Sequence, residues 1–119
     1  MAIHPERGFT VIHSADRKRF AVNGNPMSYQ RLSPQESKSV AMFAVSAAPG
    51  QSTGAEALKH AGDEALLVLS GSFEIDVEGE KKNLGPGDSV FIPRGRHHRF
   101  SNIGTKTGEA VFVLSPPEY

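Results

Sequence analysis

With 119 residues, 13 Lys and Arg against 13 Asp and Glu, and no cysteine, the chain has the length of one domain and excludes several classes at once. Zero formal charge withholds the basic excess with which nucleic-acid binders neutralise phosphate. Missing thiols remove disulfides, cysteine nucleophiles and thiolate-held zinc or iron–sulfur centres, so any metal must be held by imidazole, carboxylate or backbone oxygen.

The opening stretch, MAIHPERGFTVIHS, carries charge by Glu6 and has no apolar core of signal-peptide length. No later apolar run approaches a membrane span. The reading is a soluble cytoplasmic protein with neither nucleic acid nor membrane as partner. Helical periodicity is almost absent and short alternating runs dominate. FTVIH (9–13), RFAV (19–22) and MSYQRL (27–32) are weak strand candidates, broken by a turn at NGNP (23–26). SVAMFAVSAA (39–48) is a stronger one, and LLVLSG (66–71) is a continuous apolar strand ending in a glycine turn.

The clearest alternation is SFEIDVEGE, where Phe73, Ile75 and Val77 interleave with Glu74, Asp76 and Glu78, the period of a strand with one buried face. SVFIP (89–93), HHRFSN (97–102) and EAVFVLS (109–115) follow. Around nine short strands between Gly, Pro and Asn turns predict an all-β sandwich or barrel. Residues 1–32 are expected to be an N-terminal arm and strands contributing to the barrel or to a dimer, and 33–119 the barrel itself.

His60 and Glu64 lie four residues apart in HAGDEALLVLSG. On a helix they would share a face, but Gly62 between them and the β-rich surroundings favour a corner between strands. Six residues separate Glu64 from Gly71. Downstream, GDSVFIPRGRHHRFSN runs Gly87, five residues, Pro93, one residue, Gly95, two residues, His98, three residues, Asn102. That spacing resembles the second motif of the cupin superfamily without a gap, and HAGDEALLVLSG resembles the second half of its first motif. The resemblance covers about residues 40–115 and implies a small RmlC-like single-domain cupin, a double-stranded β-helix or jelly-roll barrel.

The resemblance also implies a divalent metal at the barrel mouth. His60 matches the second histidine of the first motif, Glu64 its glutamate, and His98 the histidine of the second motif. The first histidine falls at Leu58, and Gly50 is too far upstream for the opening glycine. Two imidazoles and one carboxylate remain, the ligand set of the facial triad of non-haem iron sites. Fe, Mn, Ni, Zn and Cu are all compatible with nitrogen and oxygen ligands. Glu56 shares strand parity with Leu58 and is a candidate contact to metal or substrate, and Leu58 narrows the pocket. Strand parity puts His98, Phe100 and Asn102 on the interior face and His97 with Arg99 outside. Phe100 is therefore a candidate substrate contact.

The bland reading of the three ligands is a degenerate barrel with satisfied interior polar groups. Arg94, Arg96 and Arg99 read as a solvated basic turn paired with the acidic EIDVEGE stretch. Gly71, Gly79, Gly85, Gly87 and Gly95 read as turn formers of positive φ. Phe43, Phe73, Phe91, Phe100 and Phe112 read as core, while His4 and His13 receive no role.

The function expected is that of a metal-dependent enzyme acting on a small organic molecule. A dioxygenase-like oxidoreductase is favoured, with Glu64 as the catalytic group; lyase, isomerase and decarboxylase chemistry stay open. The alternative is a non-catalytic small-molecule-binding or sensing module. An unpaired sheet edge predicts a homodimer.

Overall fold

The computed structural model describes residues 8–53 and 61–117. Among them are nine strands: β1 Lys18–Val22, β2 Asn25–Arg31, β3 Ala41–Ala47, β4 Asp63–Ser70, β5 Phe73–Val77, β6 Glu80–Leu84, β7 Ser89–Ile92, β8 His98–Asn102 and β9 Gly108–Ser115. A 3-10 turn at Ser14–Asp16 precedes them, and no helix of the described residues is long and apolar enough to cross a membrane. The strands make two antiparallel sheets, one of order β1-β2-β3-β9-β4-β7 and one of order β6-β5-β8. This is the all-β jelly-roll architecture expected from the sequence.

Local chemistry explains the connections. Val22 pairs with Asn25, leaving Asn23 and Gly24 as a two-residue hairpin loop with Gly24 at φ 75°, a positive φ that glycine adopts without steric cost. The turn is thus shorter than the expected 23–26, and Pro26 belongs to β2. Residues 9–13 form no strand; Phe9 and Val11 point to solvent, so this run has no buried face to hold it to a sheet. β6, EKKNL, has four exposed residues of five. It is a strand because β5 pairs with it through a tight turn at Glu78 and Gly79, not because of its own hydropathy.

Alternation then sorts the side chains. In β4 Leu66 and Val68 face the core while Leu67 and Leu69 are 40% and 50% exposed. In β7 Ile92 is buried and Phe91 is 64% exposed, so Phe91 is not the core residue expected, because the pleat of this short strand gives the inner position to its neighbour. Between the sheets an aromatic file joins both layers. Phe73 stacks on Phe100 at 4.2 Å, Phe100 meets Phe112 edge-on at 5.2 Å, and Phe112 stacks on Phe43 at 5.5 Å. Each such pair contributes about 0.5–1.5 kcal/mol beyond area burial.

The Phe73 ring needs a glycine opposite it. A Cβ on Gly108 would lie 2.6 Å from a Phe73 ring carbon, nearer than packed atoms approach. Of the five turn glycines, Gly71, Gly79, Gly87 and Gly95 have positive φ. Gly85 does not, and its N–H is held instead by the Asp88 carboxylate at 2.8 Å.

Candidate functional site

Glu64 is the second residue of β4, and its placement follows from how that strand begins. Gly62 passes so close to the end of β9 that a Cβ there would be 2.7 Å from the Pro116 carbonyl oxygen and 2.8 Å from that of Ser115. Glycine at 62 is therefore a close-approach residue. Asp63 then turns outward and accepts hydrogen bonds from the Arg94 backbone N–H at 3.0 Å and from its guanidinium. The guanidinium bond, the backbone bond and the charge of Arg94 hold the Asp63 carboxyl below the usual aspartate value, although desolvation opposes them. With its neighbour pinned outside, Glu64 points inward on the row that runs from Ala41 through Leu114 to Ile92. It is 3% exposed.

His98 opens β8 opposite Val77 of β5. The alternation along the strand buries His98, Phe100 and Asn102, each at 2% exposure or less, and leaves His97 exposed. Two neighbours stitch this strand in place. Phe100 N–H donates to the Thr53 hydroxyl at 3.1 Å, and Thr53 N–H donates to the Phe100 carbonyl at 3.0 Å. The Asn102 amide donates to the carbonyls of Ala47 and Lys106 at 2.8 and 2.9 Å, and its oxygen accepts from Gly104 N–H. Asn102 is thus a structural tie between the sheets, and not a group that faces the site.

The two sheets bring His98 Nε2 and Glu64 Oε2 to 3.0 Å with both side chains shut off from solvent. The opposite ring nitrogen, Nδ1, lies 3.2 Å from the Arg96 carbonyl. A carbonyl only accepts, so Nδ1 carries the proton and donates it. In the neutral ring Nε2 is then a lone pair aimed inward, the tautomer that ligates metals through Nε2. Burial is the largest influence on the His98 pKa and pushes it down. The Glu64 hydrogen bond, the Glu64 charge and the Arg96 carbonyl outweigh it, so the net displacement is upward.

The donor set fits a divalent cation. His98 Nε2 and Glu64 Oε2, an imidazole nitrogen and a carboxylate oxygen buried 3.0 Å apart, are donors of the kind that would hold such an ion. No group of three histidine, aspartate or glutamate side chains converges among the described residues. The third expected ligand, His60, lies outside them, as do Glu56 and Leu58. The described part of the site is therefore the His98–Glu64 pair. Phe100, expected as a substrate contact, is fully buried between Phe73 and Phe112.

Tyr29 was not singled out by the sequence. It is buried in β2, and the Asn25 side-chain amide donates to its hydroxyl oxygen while Asn25 Oδ1 accepts from Met27 N–H at 3.0 Å. Burial raises its pKa to about 12, the Asn25 bond opposes the rise and the Glu64 charge adds to it. Asn25, Met27 and Tyr29 share one parity on β2, the one sequence signal that pointed to this pairing. Of the basic turn, Arg96 pairs with Glu78 at 3.7 Å, as the acidic stretch suggested, and Arg94 pairs instead with Asp63 at 3.3 Å.

Comparison with known proteins agrees with this architecture. The family model described as "Cupin domain" matches residues 43–114. Acireductone dioxygenase of Rhodopseudomonas palustris is 38% identical over 64 residues, which is 50% of this chain and 39% of that protein. The HTH-type transcriptional regulator PuuR of Escherichia coli is 35% identical over 97 residues, 82% of this chain and 46% of the regulator. The chain thus spans less than half the length of these curated relatives. A crystal structure of an RmlC-like cupin from Shewanella frigidimarina superposes with a TM-score of 0.76 at 19% identity, covering 93% of this chain and 94% of that one. At that identity the likeness speaks for the fold. With a family model spanning both strands of the buried pair, the chain belongs to the cupin family.

Proposed function

We propose that the chain is a metal-binding cupin in which His98 and Glu64, completed by His60, hold one divalent cation inside the barrel, and that the loaded site acts on a small organic molecule. The observation that carries the proposal is the buried Nε2–Oε2 approach of 3.0 Å with Nδ1 tied to the Arg96 carbonyl. A buried carboxylate and imidazole cost several kcal/mol of desolvation, which a site that exists to bind a cation accounts for directly.

When bound, the ion supplies Lewis-acid polarisation of a substrate oxygen and open positions for water or dioxygen. The chain's own residues divide the remaining work. The Arg96 carbonyl fixes the imidazole tautomer, and Glu64 sets a carboxylate beside His98 as the general base of this proposal. The Phe43, Phe100 and Phe112 rings pack on one another as the apolar core between the sheets. Dioxygenase-like oxidation of a small oxygen-bearing substrate is the preferred chemistry. The ligand set supports it, and a dioxygenase is among the relatives. A cytoplasmic location is part of the proposal.

The competing reading is a small-molecule sensor without chemistry, favoured by the match to a transcriptional regulator over most of the chain. Elemental analysis of untagged protein separates the two. Wild type should carry close to one equivalent of metal, and a Glu64→Ala, His98→Ala double variant close to none. Equal, negligible metal in both would reject the metal centre and leave the sensor.

A further inference from the structure

Among the described residues the buried titratable side chains are Glu64, His98 and Tyr29, and the chemistry above uses only the first two. Tyr29 is 6% exposed and belongs to the same core cluster as Phe100 and Phe112. Its ring is held against Phe20 at 5.3 Å and Phe43 at 5.8 Å, and Phe43 continues the aromatic file to Phe112. Phe43 lies one inward position along β3 from Ala41, which stands in the cross-strand row of Glu64. Consistent with that placement, the Glu64 charge acts on the Tyr29 hydroxyl. Phenol and carboxylate share one interior.

The hydrogen bonding at this hydroxyl has a direction. Met27 N–H donates to Asn25 Oδ1 at 3.0 Å, which turns the amide so that its nitrogen donates to the phenol oxygen. An amide nitrogen only donates, so the phenol's own proton is not spent on Asn25. The cross-strand neighbours of Tyr29 are Phe20 and Val45, which offer no side-chain acceptor, and no described residue takes the proton. A buried donor left without an acceptor costs free energy. Burial raises the Tyr29 pKa to about 12, so the hydroxyl keeps its proton in any physiological medium. Accepting from Asn25 polarises the O–H bond and makes it a stronger donor.

We infer that Tyr29 is the donor that reads an acceptor oxygen on the molecule the barrel receives, with Asn25 as the residue that aims it, and that this molecule is a small apolar body carrying a carbonyl. This rests on the reading that the interior takes a small organic molecule, and it names that molecule's class. A carbonyl has lone pairs and no proton, which suits a partner that only donates here. A carboxylate would bring a second negative charge into the interior that Glu64 already occupies. The flanking Phe20 and Phe43 rings suit an aromatic or aliphatic body better than a sugar.

Acetophenone and cumene test this, being of one shape, one with the acceptor oxygen and one without. Their dissociation constants are measured by NMR titration of wild type, Tyr29→Phe and Asn25→Asp, each with chelator and again with added metal. The ratio of the cumene constant to the acetophenone constant removes what the two share in apolar transfer. From wild type to Tyr29→Phe that ratio should fall about 10-fold or more in chelator, with circular dichroism and metal content unchanged. In Asn25→Asp the second carboxylate oxygen accepts the phenol proton, so the ratio should fall likewise although the hydroxyl is still present, a change that a purely steric role would not give. A ratio unmoved by Tyr29→Phe overturns the proposal, and so does the lack of saturable binding of either probe. A ratio that moves with Tyr29→Phe and not with Asn25→Asp overturns the aiming role of Asn25. A ratio that responds to metal and ignores Tyr29→Phe assigns the oxygen to the ion and overturns the proposal while supporting the metal centre. A chain that holds no metal and still loses its ratio in Tyr29→Phe does the reverse.

Discussion

Cutting the His98–Glu64 pair separates what that pair does for stability from what it does for function. Both side chains are nearly solvent-free, at 2% and 3% exposure, and meet at 3.0 Å. Removing one partner leaves the other buried without its counter-charge, a loss of about 3–5 kcal/mol. Replacing both by apolar groups of similar bulk is neutral or stabilising, because neither charge then has to leave water. In metal-free protein, Glu64→Leu should therefore destabilise by about 3 kcal/mol, a large share of the roughly 5–15 kcal/mol that holds a domain together. Adding His98→Leu should bring stability back to within about 1 kcal/mol of wild type. For a chain of this length 3 kcal/mol corresponds to a Tm shift of about 10 °C or more. Urea titrations of the four proteins of the cycle in chelator, analysed at constant m, give the coupling. If the two single losses simply add in the double variant, the residues are not coupled and the reasoning from the pair fails.

Two further outcomes follow from the geometry. Gly108→Ala drives a Cβ into the Phe73 ring from 2.6 Å, so it should cost about 1–3 kcal/mol as overpacking does, and Phe73→Leu in the same chain should recover part of that loss in a denaturant titration. The Asp63 carboxyl is held low by Arg94, so its contribution to stability is present above the ordinary aspartate value of 3.8 and fades as pH falls through the lowered folded value. Asp63→Asn should flatten that acid limb in a stability-against-pH series, and an unchanged limb would show that the ion pair is solvent-screened to nothing.

How far the sequence was legible depended on whether one face of a strand is polar. Phe73, Ile75 and Val77 alternate with acids, and β5 was plain. The interior placement of His98 and Phe100 followed from the same period. β6 was silent because its residues bury little, its pairing set by the turn at Glu78 and Gly79. The hairpin of β1 and β2 was underrated, and with it Tyr29, whose partner Asn25 sits four residues away on the same face. The residues of the first cupin-like motif that precede Glu64, His60 with Leu58 and Glu56, lie outside the described residues.

The misplacement of Phe91 has a different cause. A strand that is apolar on both faces reads as a run, and hydropathy alone cannot say which side meets the core. Leu66, Leu67, Val68 and Leu69 form such a run, and the pleat sends Leu67 and Leu69 out beside Phe91 and Val111. Outward positions tolerate charge freely, as the outward residues of β5 and β6 show with Glu74, Asp76 and Lys81. On the large sheet the outward row from Arg19 through Gln30, Ala44, Val111 and Leu67 to Ser89 is polar at its edges and apolar at its centre. The ambiguity of the run is settled by the pleat, which buries Leu66 and Val68 and leaves Leu67 and Leu69 exposed.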